Sequence, residues 1–190
     1  MSVHRASAIG NRASGIASRL PDSRRPRATH QTLRITIRPA TTADVEAVTE
    51  LRLALFAAEW RRATVKASPE IIRRARAVSA AQLASTQQLT LLALHRGQAI
   101  GILRCTARKR AGLAYPARVA TIATVYVRRA WRRRGVLRAL LRAADRWARA
   151  RGLTEMQLLC AADNAVGRAA WRALGFEPIE ILHRRTIPRR

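Results

Sequence analysis

Residues 132–138 read Arg-Arg-Arg-Gly-Val-Leu-Arg and stand directly before an amphipathic run. A helix that begins there leaves its first backbone N–H groups without intrahelical partners, all pointing the same way. The helix dipole adds about half a positive charge at that end. Arg132, Arg133, Arg134 and Arg138 add full charges, a combination suited to a pyrophosphate. Gly135 permits a close backbone approach that a bulkier residue would block. Arg142, Arg146 and Arg149 recur along the same helix as a solvated stripe. Neither G-x-x-x-x-G-K-[ST] nor G-x-G-x-x-G is present, so the stretch is no Walker loop or dinucleotide fingerprint.

The elements that must position this cradle follow from periodicity. "LRITIRP" alternates as a first strand that Pro39 ends. Thr41 and Asp44 form a capping pattern ahead of a helix with Val45, Val48, Leu51 and Leu55 as its apolar stripe. Ser68-Pro69-Glu70 opens a second helix through Ile71, Ile72, Ala75 and Val78. "QLTLLAL" and "AIGILRCTA" flank the hairpin connection "HRGQ", and "VATIATVYV" supplies another strand. A third helix runs through Val136, Leu140, Ala143 and Trp147 to a stop at Gly152. "TEMQLLC" is a strand, "DNAVGRAAWRAL" a fourth helix capped by Asp163 or Asn164 and stopped by Gly175, and "FEPIEILHRRTI" one or two closing strands. The economical packing is an α/β (α+β) domain over residues 34–190, with a mixed, mostly antiparallel sheet of six to seven strands flanked by four helices.

Composition bounds the rest. The 190 residues carry 37 Lys+Arg against 11 Asp+Glu, for a net charge of +26. The basic residues are nearly all arginine, and with the abundant alanine this is a bias that coding composition can produce, so the charge alone identifies no partner. It steers polyanions toward the surface. Apolar residues make up 48%, which favours a folded domain. Residues 1–33 are rich in Arg, Ser and Ala and lack an apolar period, as expected of a disordered basic extension; a transit peptide is the competing reading. No apolar run is long enough to span a bilayer and no secretory segment is evident, so the expectation is a soluble cytoplasmic protein without membrane partners. Cys105 and Cys160 have no metal-type spacing, and no metal is expected.

At this point the chain resembles the GCN5-related N-acetyltransferases (GNAT), over about residues 35–187. Their acetyl-CoA signature, Val-x-x-x-x-Arg/Gln-x-x-Gly-x-Gly/Ala, is met by Val127, Arg132 and Gly135, while Leu137 stands where Gly or Ala is usual. The second block, Asn-x-x-Ala followed by Tyr and Gly-Phe, is similar to Asn164, Gly167, Trp171, Gly175 and Phe176. The resemblance implies a GNAT-like acyl-CoA N-acyltransferase fold and acetyl-CoA as cosubstrate. The strand before the phosphate loop would pair with the pantetheine arm through the backbones of Val125, Tyr126 and Val127. Arg132, Arg133, Arg134, Gly135, Val136, Leu137 and Arg138 would surround the pyrophosphate, with Asn164 and Trp171 completing the cofactor side.

The implied chemistry is acetyl transfer to a neutral amine. Trp171 occupies the place of the family's usual tyrosine acid, and an indole N–H donates a hydrogen bond but does not deliver a proton. General acid catalysis is worth about 10²–10⁴-fold. A thiol of pKa roughly 8.5 already leaves fairly well, so the loss falls toward the low end, and water or Tyr126 is the expected substitute. No carboxylate lies on "VATIATVYV", so deprotonation of the amine is expected to run through water. Glu59, His95 and His183 are distant candidates, each more often structural. An acetyl-Cys intermediate at Cys160 is the lesser alternative; the sequence marks no adjacent His or helix start to form its thiolate, and packing is expected.

The reading is a single-domain acetyl-CoA-dependent N-acetyltransferase whose amine acceptor, a small molecule or peptide, attacks directly in a ternary complex. The basic surface favours an anionic acceptor over a polycationic aminoglycoside. The alternatives are a protein N-terminal (ribosomal-protein-type) acetyltransferase and a non-catalytic CoA- or polyanion-binding module. No specific nucleic-acid partner is expected: aromatic residues are only 4% of the chain, too few for single-strand stacking platforms, while phosphate-driven, sequence-independent binding stays open. A homodimer is left open.

Overall fold

The computed structural model describes residues 34–59, 68–110, 116–183 and 185–187, all within the unit Leu33–Arg190. The extension expected over residues 1–33 lies outside the described residues. Strand β1 (Ile35–Pro39) leads through a 3₁₀ turn (Thr42–Asp44) into α1 (Val45–Glu59), and α2 (Pro69–Ala84) follows. Then come β2 (Gln88–His95), β3 (Gln98–Lys109) and β4 (Arg118–Val127). A second 3₁₀ turn (Arg129–Trp131), α3 (Val136–Arg149), β5 (Met156–Leu158) and α4 (Ala165–Arg172) complete the order.

The strands form one sheet in the order β1-β2-β3-β4-β5. Three antiparallel pairs are followed by one parallel pair, β4 with β5, and the α3 crossover is the kind of connection a parallel pair requires. Central positions of β2 and β3 are buried on both faces, which accounts for their near-continuous apolar runs. The larger core cluster unites Leu91, Leu103, Cys105 and Ile122 with Val136, Leu140, Leu141 and Ala144 of α3. A smaller one holds Val48 and Leu51 of α1 against Leu92, Ala99 and Ile102. Helices therefore cover both faces, as expected of a mixed α/β domain.

Local details depart from expectation in three places. The described sheet has five strands, not six or seven. Glu177 to His183 and Arg185 to Ile187 form no strand. Pro178 cannot donate to a ladder, and three-residue β5 offers little edge for pairing. Ile181 and Leu182 are accordingly more than four-fifths exposed. On α2 the buried residues are Ala75 and Ser79, whereas Ile72 and Val78 face outward. Small side chains seat this helix, and the Ser79 hydroxyl satisfies itself by donating to the Ala75 carbonyl at 2.8 Å. On α3 the fully buried face runs through Leu141, Ala144 and Ala148, leaving Ala143 and Trp147 half-buried beside it.

The entry to α1 is fixed by Asp44. Arg38 donates to its two carboxylate oxygens at 2.7 and 2.8 Å, and the Thr41 N–H donates to Oδ2 at 2.8 Å. These bonds, Arg38's foremost, hold the Asp44 carboxyl well below the usual carboxylate range. A carboxylate with a depressed native pKa stabilises the fold above its unfolded pKa of about 3.9 and loses that contribution as pH falls toward the lower native value. Asp44→Asn should therefore lower stability at pH 7 by about 1–2 kcal/mol. Thermal melts should show the gap from the parent closing below about pH 4.

Candidate active site

Strand β4 is the axis of the site. It pairs with β5 only at Ala120, Thr121 and Ile122, opposite Met156, Gln157 and Leu158, and continues to Val127 with no partner on that side among the described residues. A register shift against β3 falls between Arg104 and Cys105, leaving Ala123 as the extra residue of β4. Beyond it the Arg128 N–H donates to the Ile100 carbonyl at 2.9 Å. By the alternation of an antiparallel ladder, Tyr126 also directs its backbone toward β3, where it faces Ile102. The backbone groups of Val125 and Val127 then face the open edge. Of the three backbones expected to meet a pantetheine arm, Tyr126's belongs to the sheet and the other two are presented outward.

The turn after β4 aims the α3 start at the end of that edge. Arg133 and Gly135 both take left-handed backbone conformations, φ 59° and 78°, and Gly135 is the N-cap of α3. A Cβ placed on Gly135 would meet nothing within 4 Å; the first helical bond is donated by Ala139 to the Gly135 carbonyl at 3.0 Å, so the amides of Val136, Leu137 and Arg138 have no intrahelical acceptor. Arg133, Arg134 and Arg138 are exposed around this opening. Arg132 is tied back: its Nε donates to the Val127 carbonyl at 3.1 Å, and its guanidinium stands 5.8 Å from the Tyr126 ring centroid. It clasps the turn to the strand while its outer nitrogens keep their charge near the helix start. A free-standing helix N-terminus, a glycine that clears it and flanking arginines fit the diphosphate of a CoA-type molecule. The open edge fits the amide-bearing arm of the same molecule.

One positioning residue escaped the sequence reading. A Cβ at Gly101 would lie 3.2 Å from the Tyr126 carbonyl and 3.3 Å from Val136 Cγ1, so glycine at this point of β3 lets the α3 start sit down on the sheet. A glycine inside the apolar run "AIGILRC" was the available signal.

Other expected residues have local roles. Asn164 caps α4, its side-chain oxygen accepting from the Gly167 N–H at 2.8 Å. A Cβ on Gly167 would lie 2.6 Å from that same side chain. Trp171 packs half-buried on the main core, edge-to-face with Phe176 at 5.2 Å and 71°, a packing role for the residue in the place of the tyrosine acid. Leu137 packs against the core as well, which turns a side chain that would otherwise stand over the phosphates into an anchor for the helix start. His95 lies against Trp131 with ring centroids 4.6 Å apart and the planes tilted by 44°, its Nδ1 3.3 Å from the Arg34 carbonyl. His183 is exposed near the C-terminal end. The side chain of Glu59 lies outside the described residues. Burial pushes the Cys105 thiol up to about 11, which makes it inert, and Cys160 is half-buried.

With this geometry in place, the comparisons are informative. Residues 45–176 match the family described as acetyltransferase (GNAT). An aminoglycoside N(6')-acetyltransferase type 1 from Klebsiella aerogenes is 36% identical over 83 residues, 44% of this chain, and the chain spans 55% of that relative's length. The crystal structure of the aminoglycoside 6'-N-acetyltransferase AAC(6')-IG from Acinetobacter haemolyticus has a TM-score of 0.66 at 28% identity, covering 80% of this chain and 98% of its own. The aminoglycoside N-acetyltransferase AAC(6')-Iy, solved with CoA, shares the fold, with a TM-score of 0.68 at 23% identity over 81% of this chain and 96% of its own.

Gly101→Val should lower stability by about 1–3 kcal/mol, since the added side chain overpacks the junction of β3, β4 and α3. Because the α3 start must lift to accommodate it, CoA affinity should fall in parallel. Thermal melts and calorimetric titration with CoA check the two effects.

Proposed function

The chain belongs to the acetyltransferase (GNAT) family, and from that premise we propose that it transfers the acetyl group of acetyl-CoA to a primary amine of a small molecule, by direct attack in a ternary complex. The observation that carries this reading is the convergence of the open β4 edge and the free α3 N-terminus on one line. Acetyl-CoA supplies a thioester carbonyl that a neutral amine can attack. Val125 and Val127 orient the amide-bearing arm through their backbones, and the amides of Val136, Leu137 and Arg138 hold the diphosphate with Arg133 and Arg134 beside them. Oriented binding of this kind is worth several kcal/mol of barrier without any proton transfer by the protein.

The chain's own acid–base groups are sparse at the point of transfer. β4 carries no carboxylate, so the alkyl amine, of pKa about 10.4, loses its proton to water. Tyr126 offers a phenolic hydroxyl on the strand. Its partly buried ring is held beneath Arg132, and it takes the role of leaving-group hydrogen-bond donor that Trp171, engaged with Phe176, does not fill.

The names of the relatives favour an aminoglycoside amine as a second reading. Weighing against it, the carboxylates of Asp44, Glu46, Glu50 and Glu155 are paired with Arg38, Arg76, Arg128 and Arg110, which leaves them poorly disposed to hold a polycation.

Acetyl-CoA at about a hundred times its Kd should stabilise the protein by about 2.7 kcal/mol, a rise in melting temperature of about 5–10 °C for a domain of this size. Thiol release with a panel of amines, peptides and aminoglycosides should then identify a turned-over acceptor. No thermal shift at millimolar acetyl-CoA would overturn the assignment of the cofactor site.

A further inference from the structure

The face of the sheet beneath α1 and α2 changes character along its length. At one end it is apolar, with Leu92, Ala99 and Ile102 under Val48 and Leu51. Beyond Leu92 and Ile102 it turns polar: Thr90, Arg104 and Thr124 stand directly opposite one another across β2, β3 and β4. Both threonines are buried. From above, α1 adds Arg52, only 7% exposed.

The two arginines share an electrostatic environment with no described carboxylate in it. Arg52 Nη2 donates to the Gln82 side-chain oxygen, and Arg104 Nη1 donates to Gln88 Oε1 at 2.8 Å. These are neutral partners, and no described carboxylate pairs with either guanidinium. The Nε of each is buried without any hydrogen-bond partner. Burial, followed by the like charges of Arg52 and Arg108, pushes the Arg104 guanidinium below its ordinary value. Asp44, Glu46, Glu50 and Glu155 are paired with arginines, whereas these two cations rest on glutamines, and a buried charge without a counter-ion is strongly unfavourable. Arg104 retains its Nε–Nη2 edge, the geometry that grips a carboxylate through two parallel bonds.

The location ties this cluster to transfer. Arg104 faces Thr124 across the ladder, beside the bulge at Ala123 and just past the last β4–β5 pair, Ile122 with Leu158. Directly opposed residues in such a ladder have Cα atoms about 4.5–5.5 Å apart. Arg104 and the stretch of β4 that has lost β5 thus lie at one level of the sheet, with the Arg104 guanidinium reaching Gln88 of β2. We infer that Arg52 and Arg104 form a specificity site for a carboxylate on the acceptor, so that the amine acetylated belongs to an amino-acid-like molecule and not to a polycation. This rests on the acetyltransferase reading above and names the substrate class for the same site.

The experiment compares the full-length protein with Arg104→Met and Arg52→Met, using acetyl-CoA and matched acceptors: phenylalanine with phenethylamine, ornithine with putrescine, and kanamycin as the polycation. The parent should prefer the carboxylated member of each pair. Each variant should raise the KM for that member by about tenfold or more, the value of a charge-assisted hydrogen bond, and reduce the preference to near unity while the KM for acetyl-CoA stays unchanged. Equal or better use of phenethylamine, putrescine or kanamycin by the parent, or a preference that survives Arg104→Met, overturns the inference. Melting supplies a readout independent of turnover. Phenylalanine at about 10 mM should raise the melting temperature of the CoA-saturated parent and not of Arg104→Met, which should itself melt no lower than the parent because a buried unpaired charge is gone. A variant that melts several degrees lower points to a purely structural arginine and overturns the site. A protein that CoA fails to stabilise sinks the acetyltransferase reading, whereas one stabilised by CoA but not by phenylalanine sinks only the carboxylate site.

Discussion

Everything proposed for this protein depends on β4 and β5 pairing for three residues and then parting. A parallel pair must be joined by a crossover, and α3 is that crossover. Its N-terminus consequently lies at the carboxyl end of β4, where the strand has just lost its neighbour. Backbone groups on the strand edge that no strand pairs, and N–H groups at the helix start without intrahelical acceptors, are thus delivered side by side by topology, with the Val127 carbonyl taken by Arg132. In open α/β sheets ligands gather at such carboxyl ends for the same reason.

The side chains stabilise that arrangement more than they add to it. Arg128 ties the end of β4 to β3 through Ala99 and to α1 through Glu50. Arg132 fastens the turn to Val127. Gly101 and Leu137 determine how closely α3 sits on the sheet, the first by having no side chain and the second by burying one. Several of the chain's arginines thus act as local clasps.

The sequence revealed those parts of the fold whose signals are local. Gly135 after three arginines, Ser68-Pro69 and Asn164 are helix-start chemistry that works over three or four residues, and each helix begins where that chemistry puts it. The closing strands failed because alternation at Ile179 and Ile181 says nothing about whether an edge exists to receive them, and three-residue β5 provides almost none. The α2 stripe was misjudged because the fully buried positions there are the small residues Ala75 and Ser79, with Leu83 partly buried against the core. Within the site, the division of labour among Val125, Tyr126 and Val127 depends on the bulge at Ala123, a tertiary feature without a sequence mark. Arg52 and Arg104 could not be distinguished from the other arginines until burial set them apart.

The central claim is that the β4 edge and the α3 start bind one CoA-type molecule along their length. Backbone hydrogen exchange with and without CoA tests it at the level of single amides. Protection should appear together at Val125 and Val127 and at Val136, Leu137 and Arg138, while amides already in the β2–β3 ladder stay as they were. Unchanged exchange at these five positions in the presence of saturating CoA, or protection confined to other amides, would contradict the account.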